Sequence, residues 1–555
     1  MRGSSFALRG LGAVALGALV WTSTGAATNH GFDLTNLDRS CPACRDFYQF
    51  ADGGWVAAHP VPPDQSRIGA FDQLHDRNEE ISRSILEAAS TDPRASGDRK
   101  KIGDLYASCM DEASVEKAAL TPLDPLFAKV ASASDVPSVV AATAALQTAG
   151  VPVLWNATST VNVKNATQQI ALLAPSGLTL PDRDFYTRTD PKSVNLRDAY
   201  VAHVKDMFTL AGDDAARAEA ESRTILAVET ALAKEQLTAV ERRNPDNTFH
   251  LTARDELAKL APHVSWDRYF ATREFPAFSE LNVSQPAYVK ALDGLLASTP
   301  FDDVKTYLRW RVLTTRAPWL AKRFADADFA FNSRLTGTKE QLPRWKRCVR
   351  LVDVNMGLAL GREWVAKAFP PEAKARADAM VLNLIATLHD DIEPLPWMSA
   401  ATKKAALAKL AAMQPLIGYP SHWRSYGSLA IVRGQLLDDV QNAAGFRSAY
   451  EIAKVGKPVD KSEFGMTPPT VNAYYTPSRN EIVFPAGILQ PPFFDPNADD
   501  AINYGGIGYV IAHEMTHGFD DSGRKFDAEG NLRNWWTPQD AENFGKRAQC
   551  IVDEY

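Results

Sequence analysis

The sequence predicts a mainly α-helical protein of more than one domain, and three observations carry that reading. Apolar residues return at spacings of three and four through most of the chain, the period of a helix face, while alternating runs are few and short. The chain has 555 residues, too many to close around one ordinary core. Its apolar fraction of 45% and charged fraction of 23% are those of a folded chain, which excludes a disordered one.

The elements follow in order. Residues 1–26 have the layout of an export signal: Arg2 and Arg9 are a basic start, 11–21 an apolar core, and Gly25, Ala26 and Ala27 a small-residue cleavage site. The apolar core falls short of the roughly twenty residues that a membrane anchor needs, and no cysteine near the cleavage site offers a lipid attachment point. A secreted or periplasmic location without a stable membrane anchor is therefore expected. Residues 44–55 read as a short helix ended by Gly53 and Gly54, followed by an extended linker with Pro60, Pro62 and Pro63. Helical spacing marks 78–88, 100–109 and 138–146, whereas 151–155 and 161–163 read as short strands. Residues 196–239 read as paired long helices. Further helices are predicted over 254–260, 303–313, 317–324 and, with interruptions, 340–391, where Met380, Leu384 and Leu388 share a face. Ser399 is a cap for a helix over 400–413. After Gly465 the pattern changes: 467–475 is extended, 477–480 is a turn and 481–484 a short strand. Thr537, Pro538 and Asp540 supply the cap, first-turn proline and capping-box acid of a last helix reaching Cys550.

The formal charge of −7 comes with no basic tract, which argues against a nucleic-acid partner. The five cysteines are Cys41, Cys44, Cys109, Cys348 and Cys550. Cys41 and Cys44 have C-x-x-C spacing, yet no second pair follows at zinc-knuckle spacing and no βαβ pattern surrounds them, so they read as half-cystines.

Chemistry concentrates in residues 510–520, V-I-A-H-E-M-T-H-G-F-D. On a helix His513 and His517 lie one turn apart, so two imidazoles reach one metal while Glu514 faces its open position. Ile507, Val510, Ile511 and Met515 supply helical spacing, and Gly518 is a stop signal. An H-E-x-x-H inside an apolar helix is costly to bury without a metal. The pattern is a zinc peptidase signature. The extended segment before this helix suits backbone pairing with a peptide, and Asn472 is a candidate substrate clamp or a turn-forming asparagine.

Together these residues resemble the neprilysin and endothelin-converting-enzyme family of zinc metallopeptidases, in its secreted or periplasmic bacterial form. The motifs run from C-R-D-F-Y-Q-F-A-D-G-G-W at 44–55 through S-G-L-T-L-P-D-R-D-F-Y at 176–186, E-R-R at 241–243, R-W-K-R-C at 344–348, W-M at 397–398 and I-G-Y-P at 417–420. N-A-Y-Y at 472–475 and I-A-H-E-M-T-H-G-F-D-D at 511–521 are the most specific.

The resemblance implies two largely helical domains around a central cavity, with a gluzincin-type zinc helix and a short edge strand in the catalytic one. It divides the chain into 44–420, mostly helical and including the cavity-capping domain, a connecting segment 421–471 and an incomplete catalytic region 472–555. It implies hydrolysis of short peptides on the amino side of hydrophobic residues, with one zinc ion per chain. His513 and His517 become metal ligands, Glu514 the catalytic acid–base, Asp520 the carboxylate that orients a zinc histidine, and Asn472 with Ala473 the substrate-backbone contacts. Cys109 and Cys348 match a family disulfide. Cys44 and Cys550 match cysteines whose partners fall past Tyr555, Asp52 stands where the family has a cysteine, and Cys41 is unassigned. The third zinc ligand, a glutamate in G-E-N-x-x-D, is also expected beyond Tyr555, so the chain reads as C-terminally truncated. Neither Glu529 nor Glu542 reads as its substitute. The alternative reading is a truncated, catalytically inactive homologue that at most binds peptides.

Overall fold

Helix limits in this chain follow local capping chemistry. A computed structural model of the protein describes residues 33–554; the predicted export signal lies outside them. The helices Gly97–Met110, Val136–Thr148, Pro191–Leu210, Ala215–Lys234 and Arg254–Leu260 occupy the segments where helical spacing placed them. Ser399 accepts from Thr402 N at the start of Ala400–Ala411, the expected cap. Asp540 does more than cap the final helix, Pro538–Glu554. Buried itself, it accepts from Thr537 Oγ1, Ser399 N, Ser399 Oγ and Thr402 Oγ1, which ties the starts of two helices together.

Three elements depart from the sequence reading. The first helix, Phe47–Ala58, runs straight through Gly53 and Gly54. A Cβ on Gly54 would lie 2.3 Å from Thr35 O, and one on Gly53 would lie 2.7 Å from Asp38 Cβ. The glycines admit the preceding chain against the helix and do not end it. The helix predicted over 317–324 is a 3-10 turn, Ala317–Trp319, then an extended Leu320 and a new helix, Lys322–Thr336, because Pro318 has no N–H to continue the ladder. The two short strands expected at 151–155 and 161–163 meet only the ends of one strand, β1, Trp155–Val161, and its partner β2, Gln169–Pro175, has no counterpart in the sequence reading. β2 carries a continuous apolar run, which periodicity alone does not separate from a buried helix segment.

Seven strands form two small sheets among the described residues. With β3 (Leu251–Ala253) and β4 (Glu280–Val283), β1 and β2 make a four-stranded sheet ordered β1-β2-β4-β3. The second sheet contains β5 (Gln414–Gly418), β6 (Tyr474–Thr476) and β7 (Glu481–Pro485), ordered β5-β7-β6, with β5 parallel and β6 antiparallel to β7. The predicted strand 481–484 is thus central, and Tyr474–Thr476 is the edge.

Burial separates two lobes. One core gathers residues between Leu123 and Phe331, including Trp155, Tyr200, Tyr269 and Trp310. The other gathers 85–109 with residues from 348 to 536, including Trp364, Phe484, Ile507, Ile511 and Met515. The Leu436–Ile452 helix touches both, Leu437 entering the first core and Leu436 and Val440 the second. Cys109 and Cys348 are disulfide-bonded with Cα atoms 5.6 Å apart, whereas Cys41, Cys44 and Cys550 are free thiols. No helix among the described residues is long and apolar enough to cross a membrane.

Candidate metal centre and active site

The histidine helix, Tyr509–Thr516, is anchored by its apolar side. Ile507, Ile511 and Met515 recur every four residues and are buried, facing the Pro371–Ile392 helix. Tyr504–Gly508 enters as a π-turn, a local rewinding that resets which side chains face the core. The helix ends at Thr516, just before the motif does. His517 nevertheless keeps helical dihedrals, φ −58° and ψ −25°, so His513 and His517 stay on one face.

The two imidazoles converge. His513 Nε2 and His517 Nε2 stand 3.1 Å apart, and their rings are nearly perpendicular at 83°. Asp520 Oδ2 lies 2.8 Å from His517 Nδ1, which favours the tautomer with the proton on Nδ1 and turns a lone pair on Nε2 toward His513. Asp520 is itself held, since its Oδ1 accepts from Ser522 N at 2.9 Å and Gly523 N at 2.6 Å. That tight turn requires glycine: a Cβ on Gly523 would lie 1.8 Å from His517 O.

Glu514 is buried on the neighbouring side, where it accepts a backbone hydrogen bond from Tyr475 of the edge strand β6. Burial pushes its carboxyl above the usual range, against the pull of His517, His513 and that N–H. Asn472 is exposed just ahead of β6 and its Oδ1 accepts from Ala473 N at 2.9 Å, while Ala473 is buried. His513, Glu514, His517 and Asp520 are thus brought together, with the strand led by Asn472 and Ala473 beside Glu514.

The donor set suits zinc. Two nitrogens bound to one tetrahedral zinc at about 2.05 Å would stand about 3.3 Å apart, a few tenths of an ångström from the separation seen. Among the described residues no group of three or more His, Cys, Asp or Glu side chains could hold a metal. Glu542 instead pairs with Lys546 at 2.7 Å, and Glu529 is exposed in a turn. Neither joins the histidines.

Residues 43–420 and 472–555 match two models described as Peptidase family M13. The chain belongs to peptidase family M13. That membership makes it a zinc metalloendopeptidase by class. Endothelin-converting enzyme 1 of Rattus norvegicus is 32% identical over 549 residues, which span 94% of this chain and 71% of the relative. The Mycobacterium tuberculosis zinc metalloprotease Zmp1 in complex with inhibitor superposes with a TM-score of 0.90 at 39% identity, over 94% of this chain and 80% of that one. PepO from Lactobacillus rhamnosis gives 0.84 at 26% identity, over 91% and 80%.

Two supports of the M13 site escaped the sequence reading. Lys409, fully buried, donates from Nζ to Gly523 O and Phe526 O at 2.7 Å each, so it pins the turn that carries Asp520. Burial lowers its ammonium to about 7, against the pull of Asp520 and Asp527. Asn480, in the left-handed region at φ 52°, donates to Lys409 O and Ala528 O and accepts from Tyr475 Oη. In the sequence Lys409 belongs to the alanine–lysine helix that Ser399 caps. Nothing local marks it.

Proposed function

We propose that this M13 chain hydrolyses short peptides at His513, Glu514 and His517, cutting on the amino side of hydrophobic residues, in a secreted or periplasmic setting after removal of residues 1–26. The observation that carries the reading is the convergence of the two Nε2 atoms at 3.1 Å beside a buried carboxylate.

His513 and His517 would hold one zinc ion per chain through neutral Nε2 atoms. Zinc bound there supplies a Lewis acid that polarises the scissile carbonyl and acidifies water. Glu514 Oε takes a proton from the attacking water and delivers it to the leaving amine. Its raised pKa suits the general-base half of that role, because a carboxylate of ordinary acidity takes a proton from water less readily. Asp520 keeps His517 in the Nδ1–H tautomer and fixes its ring. The outer edge of β6 pairs with no strand among the described residues, so an extended peptide can add to it by backbone hydrogen bonds. Asn472 and Ala473 lead that edge, and Glu514 is reached from it through Tyr475 N–H.

The decisive assay is cleavage of a short quenched peptide with a central Phe or Leu, before and after chelation and zinc add-back. Turnover should disappear with the chelator and return with zinc; chelator-insensitive turnover overturns the metal assignment. The Asp520→Asn variant should lose about 10–100-fold in zinc affinity or activity, read by zinc titration alongside hydrolysis. An unchanged zinc isotherm together with unchanged turnover would remove Asp520 from the site.

A further inference from the structure

The turn that holds Asp520 continues into residues 521–533, and this loop touches the opposite lobe at two places. Lys525 Nζ donates to Asn244 Oδ1 at 2.6 Å and to Asp246 Oδ2 at 3.0 Å. Leu532 N donates to Val163 O at 2.6 Å, and Asn531 Oδ1 accepts from Ala166 N at 2.9 Å. Val163 and Ala166 lie in the turn between β1 and β2, and Asn244 and Asp246 lie at the Pro245–Asn247 turn. Both turns belong to the lobe whose core runs from Leu123 to Phe331. Trp536, just past the loop, is buried in the core of the zinc-helix lobe.

The loop is braced rather than slack. Arg533 N donates to Lys525 O at 2.7 Å and Asp527 N to Asn531 O at 2.9 Å, so Lys525 and Leu532 move as one hairpin. Lys525 and Gly523 share one 3-10 turn, Gly523–Lys525, and Gly523 N donates to Asp520 Oδ1, so a displacement of Lys525 is carried to Asp520.

We infer that residues 520–533 form a clasp between the lobes, in which Lys525 closes on Asn244 and Asp246 and thereby sets Asp520 and the His517 ring. Lys525 is a positioning residue: it touches neither metal nor substrate. The contact is polar and partly exposed, with the Lys525 and Asp246 side chains 22% and 61% accessible. Such a contact is reversible, because a partly exposed ion pair contributes little net stability. The link from the clasp to catalysis rests on the peptidase reading given above, whereas the clasp itself does not.

The test is a charge swap on the full chain, comparing Lys525→Glu, Asp246→Lys and the double variant. Radius of gyration by small-angle scattering is read with kcat and KM separately, and circular dichroism melting checks folding. Each single variant should expand the particle at low salt and lower kcat/KM about threefold to tenfold; the double variant should recover both. Lys525→Gln, which keeps the stem and removes the charge, should expand the particle less than Lys525→Glu and guards against a single variant that does not fold. Unchanged radii in all variants, or a double variant no more compact than the worse single, overturns the clasp. Recovery of the radius without recovery of kcat/KM overturns its coupling to His517. If the wild-type protein cleaves no peptide, the peptidase reading and the coupling fail together, and the scattering comparison still decides the clasp.

Discussion

The Glu514→Gln variant is expected to keep its zinc and to lose about 10²–10⁴-fold in kcat. Glutamine preserves the shape of the side chain and still accepts the hydrogen bond from Tyr475 N–H, so the buried contact that seats residue 514 against β6 survives the change. His513 and His517 are untouched, and Asp520 still orients the latter at 2.8 Å. What disappears is a group able to take a proton from water and return it to an amine. Zinc content and peptide hydrolysis measured on the same preparation separate the two effects. Normal zinc with retained turnover would strip Glu514 of its catalytic role, while lost zinc would make it a structural element of the metal site.

Removing the disulfide should have the largest effect on stability. Cys109 and Cys348 are fully buried and 239 residues apart in sequence, and most of the core of the first lobe, from Leu123 to Phe331, is threaded between them. Their bond joins the Gly97–Met110 helix to Arg344–Ala368 at the base of that insertion. In a chain-entropy account a loop this long contributes on the order of 5 kcal/mol, and native disulfides typically contribute about 2–5 kcal/mol. The Cys109→Ala, Cys348→Ala double variant should therefore unfold at a clearly lower denaturant midpoint, monitored by tryptophan fluorescence in the absence of reductant. An unchanged midpoint would mean that packing between the two helices already holds the ends of the insertion together.

The helices were legible because the signals that make them are local. Ser399 caps the helix predicted to start after it, and Thr537 and Asp540 start the last helix as their spacing indicated. The convergence of His513 and His517 was legible for a related reason: two side chains four residues apart need only a helix to meet, and the buried Ile507, Ile511 and Met515 show why this segment is one. Where local pattern misled, a distant partner had changed its meaning. Gly53 and Gly54 read as a stop until the chain at Thr35 and Asp38 is seen lying against them. β2 escaped the sequence reading because both its faces are partly covered, and alternation fades when a strand has no wet side.

By itself the sequence determined the mainly helical class, the shared helix face of the H-E-x-x-H histidines and the family likeness, since each depends on residues within a few turns of one another. Tertiary structure decided how the site is held. Lys409 meets Gly523 across 114 residues, and Lys525 meets Asn244 across 281. A buried ammonium or an interlobe ion pair leaves no periodic trace in the chain. Burial costs the Lys409 ammonium its hydration, and the hydrogen bonds to Gly523 O and Phe526 O that offset this come from backbone that only the folded molecule brings near.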